Sequence, residues 1–326
     1  MKVLSSTLAR TIMIACFLCG LAILVRVQPT RAETGAPIAI EPDGYFEVSA
    51  PGPNLVGVAA SGEKLFFLLV NRTTAAVVQT DSSGGQQVYL PIPPSPIAHD
   101  ARAIRVTPEG GLVILEKVSG GCHLLFLGNN GVIAKDVPLS TFVGDIEFVG
   151  GQLVGLDEAA SRVLREPEKT VYASLSPAID WPSMLIRQPG EILAVLELGD
   201  ARLRTVGAIP LATRMLEAPE IQGLLRTSPT RTKVSLIIET AASSPQGDIY
   251  CSISPYMPEK GAILLRFDNG GKLQGRYRPV LPAFNDLKAR GNPGGYIATS
   301  AMAANRDRLY IASSLGNRCA YYPLPK

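Results

Sequence analysis

Residues 110–138 read GGLVILEKVSGGCHLLFLGNNGVIAKDVP. Three short apolar segments, 112–116, 122–127 and 132–137, are separated by Ser119-Gly120-Gly121 and Asn129-Asn130-Gly131. Each segment has the length of an ordinary strand, and each turn supplies the Asn or Gly that a tight hairpin needs where φ is positive. The stretch reads as a β-meander.

Its second strand, a polar or Gly-containing turn followed by Leu or Ile in an apolar run, recurs along the chain. The anchors are Leu65, Leu112, Leu153, Ile192, Ile249 and Leu309, spaced 47, 41, 39, 57 and 60 residues apart. One four-stranded propeller blade takes about 40–50 residues, so the first three intervals fit and the last two leave room for an insertion each. Further hairpin turns at Asp81-Ser82-Ser83-Gly84-Gly85 and Asp268-Asn269-Gly270-Gly271 support the count, because Asp, Asn and Gly accept turn geometry. Pro91, Pro138 and Pro282 follow the outermost strand, at an edge where a missing backbone donor is tolerated.

The last unit has two clear strands, 308–313 and 318–322, and then the chain ends. Residues 45–49 form a strand with no partner nearby in sequence. Pairing the two ends hides both open edges and sets the blade number at six. The expected fold is therefore all-β: a six-bladed β-propeller over residues 37–326, closed by its N-terminal strand. No long amphipathic helix is expected, since Pro210 and Pro219 interrupt the nearest pattern, and 217–233 and 283–295 read as loops suited to binding.

Residues 1–32 have a different character. Lys2 and Arg10 precede an uncharged run over 11–25, and Thr30-Arg31-Ala32 places small residues where a leader is cleaved. A secretory or periplasmic destination is the expectation, with a membrane anchor over 11–25 as the alternative; the run falls short of the ~18 apolar residues of a membrane span. Taking away Lys2, Arg10, Arg26 and Arg31 lowers 31 basic residues to 27, against 28 acidic. That near-neutral balance, without basic tracts between aromatics, argues against a nucleic-acid partner, and a monomer is expected. Cys122, Cys251 and Cys319 remain; Cys251 with Cys319 is the candidate disulfide, against three buried thiols. Asn71-Arg72-Thr73 is a glycosylation sequon, relevant only in a eukaryotic host.

The unit pattern and the blade turn Asp268-Asn269-Gly270-Gly271-Lys272-Leu273 resemble the six-bladed propellers of the NHL-repeat and gluconolactonase-like group. Propellers of that group serve as hydrolases, lyases, sensors and scaffolds, so the resemblance implies a fold rather than a reaction.

Familiar catalytic signatures are absent: no Gly-x-Ser-x-Gly, no His-Glu-x-x-His and no phosphate-cradling loop. The two histidines, His99 and His123, stand far apart in the repeat, and a histidine-dependent reaction would rest on His99. Counting back from the anchors, the residues at the channel mouth are Asn54, His99-Asp100, Asp145 and Asp180-Trp181. Oxygen donors converging on an axis suit a hard cation, so Asn54, Asp100, Asp145 and Asp180 are candidate Ca²⁺ ligands; the same residue types also start strands and cap turns. The resemblance implies a Glu, two Asn and an Asp in metal-dependent lactonases, a set this chain matches only in part. Trp181 is placed to line the channel or to pack between blades, and Arg226, Arg231 and Lys233 to meet an anion or solvent. The functional expectation is a ligand-binding or protein-interaction scaffold acting through its loop faces, without a required cofactor. The alternatives are a metal-dependent hydrolase of a lactone or phosphoester, and a tethered sensor.

Overall fold

The short second strands that anchored the repeat are buried on both faces because each separates two hydrophobic layers. In 192–197, Leu193 and Val195 face one neighbouring sheet while Ala194 and Leu196 face the other, as the two-residue period of a strand requires. The computed structural model describes residues 36–49, 54–71, 74–93, 100–128, 130–139, 141–179, 183–206, 213–227, 237–253, 263–280, 301–314 and 316–325. They form six sheets, antiparallel but for one added strand. In ring order blade I spans residues 54–92, blade II 100–139, blade III 146–174, blade IV 183–215, blade V 238–279 and blade VI 301–323. All six anchor residues lie in the second strand of their blade.

The innermost strands are Asn54–Ser61, Asp100–Val106, Ile146–Val149, Ser183–Gln188, Ile238–Ser243 and Ala301–Ala304. Successive ones lie side by side, and that of blade VI returns to that of blade I. The protein is a six-bladed β-propeller.

Closure takes the expected route. Gly44–Glu47 forms the outermost strand of blade VI, antiparallel to Arg318–Pro323, with Phe46 opposite Cys319 and Tyr45 opposite Ala320. Phe46 then crosses to blade I. Its ring meets Phe67 edge-on at 5.7 Å, and it lies against Gly84, which holds φ +87° at the third hairpin of blade I, where any Cβ would enter the Phe46 ring. A second pairing was not expected: Ile38–Ile40 adds a fifth strand to blade V, parallel to Leu273–Pro279. Ten consecutive residues, 38–47, therefore bind two blades together.

One expectation is corrected, and the reading of three buried thiols is the one the structure bears out. The segment read as the loop 217–233 contains a helix, Pro219–Thr227. A proline in the first turn loses no intrahelical hydrogen bond, so Pro219 begins the helix instead of breaking it, and Ile221 seats the helix in the layer between blades IV and V. Cys251 and Cys319 are both free and buried, in different layers. Cys122 is buried in a third. Apolar burial pushes all three thiols upward in pKa. Residues 283–295 lie outside the described residues.

The closing strand makes a prediction about register. Phe46→Ala removes a ring shared by two blades and is expected to lower stability by about 2–3 kcal/mol, whereas Tyr45→Ala, at a side chain 56% exposed, changes it by less than about 0.5 kcal/mol. Urea unfolding of both variants checks this; equal losses would contradict the register.

Candidate functional site

The inner strands of all six blades wall an axial channel of about 790 Å³, within the range of small-molecule sites. Its two sides differ in chemistry. Blades V, VI and I present mostly small uncharged residues, of which Val56, Ala60 and Ala304 keep partly exposed side chains, with Glu239 of blade V the one acid among these described residues. Blades II, III and IV present Arg102, Arg105, Asp145, Glu147, Arg187 and Glu191.

The charged side is built around Arg105. Its Nη2 donates to both oxygens of Asp145 at 2.9 and 3.1 Å, its Nε donates to Glu147 Oε2 at 2.9 Å, and its Nη1 donates to the Ile104 carbonyl at 3.0 Å. Desolvation pulls the guanidinium pKa down, but the two carboxylates outweigh it and hold it above its ordinary value. Burial pushes the Asp145 and Glu147 carboxyls upward, against the pull of Arg105 and of backbone N–H groups.

Asp145 is fully engaged within the fold. Beyond Arg105 it accepts the N–H of Ile146 at 2.8 Å and that of Leu185, on the inner strand of blade IV, at 2.8 Å. One carboxylate thus joins blades II, III and IV. Two residues along the same strand, Ser183 N–H donates to Glu158 Oε1 at 2.7 Å. Blade III therefore covers the free edge of blade IV with two carboxylates, where an uncovered strand would leave backbone donors unsatisfied. Glu158, which lies against Gly144 in the channel wall, is pushed up to about 7, chiefly by burial.

The residues singled out from sequence are placed as follows. Asn54 and Asp100 begin their inner strands and Asp145 directly precedes its own, as the spacing implied. Asn54 is exposed, and Asp100 is exposed and paired with Arg102 at 3.3 Å. Among the described residues no three His, Cys, Asp or Glu are grouped to hold a metal. Asp180, Trp181 and His99 lie outside the described residues, as do Arg231 and Lys233. His123 is away from the channel, paired with Asp136 on the outer strands of blade II at 2.9 Å.

Sequence reading missed Arg105, Glu147 and Glu158. Arg105 and Glu147 did leave a signal: each is a charge set directly between apolar residues of an inner strand, Arg105 between Ile104 and Val106 and Glu147 between Ile146 and Phe148. Glu158 left none, since it sits in a hairpin turn where acids are common.

Fold and channel together define a six-bladed propeller with a walled axial cavity. No protein family's sequence profile matches the chain, and no curated protein does. Several solved structures share the fold. Virginiamycin B lyase from Staphylococcus aureus is similar with a TM-score of 0.55 at 10% identity, over 86% of this chain and 99% of that one. A streptogramin B lyase matches at 0.55 and 14% identity, over 87% and 88%. A putative 6-phosphogluconolactonase from Bacteroides uniformis matches at 0.51 and 15%, over 86% and 84%. At such identities the likeness is one of architecture.

Two outcomes are expected. Asp145→Ala leaves Arg105 short of a partner and the Leu185 N–H uncovered, and should lower stability by about 3–5 kcal/mol in urea unfolding; a loss below about 1 kcal/mol would remove the three-blade clasp. Glu166, whose two carboxyl oxygens are buried without a hydrogen-bond partner among the described residues, is also raised to about 7 by burial. For it and Glu158 the native state retains protons that the unfolded chain releases from about 4.5 upward, so stability falls as pH rises from about 4.5 to about 7. The double variant E158Q/E166Q should show a shallower fall than the parent when urea midpoints at pH 5 and pH 8 are compared; an unchanged slope would contradict the assignment.

Proposed function

We propose that the protein is an exported ligand-binding propeller that holds a small molecule in its axial channel. The supporting observation is the channel's composition: a cavity of about 790 Å³ with a small-residue apolar side and a charged side offers both area for burial and polar groups for orientation. Export is inferred from the leader-like pattern of residues 1–32. Binding is favoured over the metal-dependent hydrolase because Asp145, central to that alternative, already accepts from Arg105 and two backbone N–H groups. The loop faces remain a second surface for partners, carried in part by the helix Pro219–Thr227.

The neutral fluorescent probe N-phenyl-1-naphthylamine tests the channel. Its emission should rise on binding to the parent protein. Ala60→Trp, which fills the channel from its apolar side, should abolish that rise while leaving the far-ultraviolet circular dichroism unchanged. Equal emission from parent and variant would place the probe elsewhere and count against the reading.

A further inference from the structure

We propose that the channel selects an organic cation, a protonated amine carried on an apolar body, with the ammonium group at Glu147 and the body against the small-residue side formed by blades V, VI and I. This rests on the channel being the ligand site. It is carried by the hydrogen-bond inventory of the charged side.

Arg105 makes four contacts to groups of the protein, through Nε, Nη1 and Nη2, and the two carboxylates it holds would repel an anionic ligand approaching it. Asp145 is filled: each oxygen takes one contact from Arg105 and one from a backbone N–H. Glu147 differs. Its Oε2 accepts from Arg105 and its Oε1 from the Phe148 N–H at 2.9 Å, one bond per oxygen. A carboxylate oxygen takes about two, so Glu147 can accept further donors. Its side chain is 17% exposed and lines the channel.

Charge points the same way. One guanidinium faces two carboxylates, so the cluster carries an excess negative charge whenever both acids are ionised. Burial disfavours that charge, and a donor cation arriving in the channel offsets it. At this cluster a carboxylic or phosphate ligand meets the reverse situation: a guanidinium already paired with two carboxylates, and a like charge; Arg102 and Arg187, which also line the channel, are each paired with an acid, Asp100 and Glu191.

The choice of an amine over a metal ion follows from the donor set. A hard divalent cation requires six or more oxygen ligands, and here a single carboxylate with spare capacity stands beside a guanidinium. An ammonium group needs up to three acceptors and tolerates one strong one. The opposite side, at Val56, Ala60 and Ala304, presents hydrocarbon without a donor or acceptor in its side chains, which suits the uncharged part of the same molecule.

The experiment is displacement of N-phenyl-1-naphthylamine by three compounds with one apolar body: 4-phenylbutylamine, 4-phenylbutanol and 4-phenylbutyrate. They are compared on the parent protein, E147Q and E147D, with a calcium chloride arm. A hydrogen bond to a charged partner corresponds to roughly a 10–100-fold difference in affinity. The amine is expected to displace the probe at least about tenfold more effectively than the alcohol or the acid. E147Q should erase that preference, while E147D, which keeps the charge, should retain most of it. Probe binding by E147Q itself shows that the channel is intact. If the probe binds and the three compounds compete equally, the cation assignment falls and the channel reading stands. If the acid competes best, or if calcium alone displaces the probe in a Glu147-dependent manner, the assignment is overturned. If neither probe nor amine binds, the channel reading fails with it.

Discussion

The structure depends on a core that belongs to no single blade. Among the described residues the buried apolar side chains form six main clusters, and each lies between two adjacent sheets: blades I and II, II and III, and so on around to VI and I. A four-stranded sheet has two apolar faces and can cover neither alone, so each blade needs a neighbour on both sides. Only a closed ring supplies that. The pairing of Gly44–Glu47 with Arg318–Pro323 is what turns five and a half repeats into a circle, and the Phe46 contact with Phe67 continues the closure into the layer between blades VI and I. The parallel strand Ile38–Ile40 extends the same N-terminal segment onto blade V. Tyr322, buried beside the closing strand, donates through its hydroxyl to the Val280 carbonyl at 2.9 Å and joins the two blades again.

The ring also determines where charge is tolerated. Around blades II to IV the inner strands approach one another through side-chain carboxylates: Asp145 reaches two neighbouring blades and Glu158 reaches one. Behind them, within blade IV, Arg204 and Glu197 form a pair with both side chains wholly buried, and Arg204 also donates to the carbonyls of Pro177 and Ala178. Such groups are stable inside only because every donor finds an acceptor. Around blades V, VI and I the inner strands carry Ala, Gly, Val and Ser at most positions instead. The channel inherits this division, which is why it has a polar side and a smooth one.

Much of the architecture was legible from short-range chemistry. The second strands announce themselves as apolar runs because both of their faces are buried, and all six anchors were placed by that pattern alone. Counting back from the anchors gave the starts of two inner strands, at Asn54 and Asp100, and came within one residue of a third, Asp145 standing just before Ile146. The fifth strand on blade V was not legible, because Ile-Ala-Ile carries no mark of the strand it will meet. The helix at Pro219 was hidden by a proline that is permitted in a first turn. The choice between a Cys251–Cys319 disulfide and three buried thiols was open in the sequence, because spacing along the chain says nothing about which inter-blade layer a thiol enters; the buried thiols are what the structure shows.

Turn glycines mark the boundary between the two kinds of information. Gly84 and Gly131 were recognisable as residues that a hairpin needs for positive φ, a local property of the backbone. That Gly84 lies against Phe46 of the closing strand, and Gly131 against Leu90 of blade I, was decided by the ring, which brings each hairpin onto the blade before it. The same holds for the channel. Sequence by itself determined that six small sheets would form, since hydrophobic period and turn chemistry act over a few residues. Which charges would converge on Arg105, and which acceptor would be left with room for a ligand, only tertiary structure decided, because those partners lie about 40 residues apart and meet only when the circle closes.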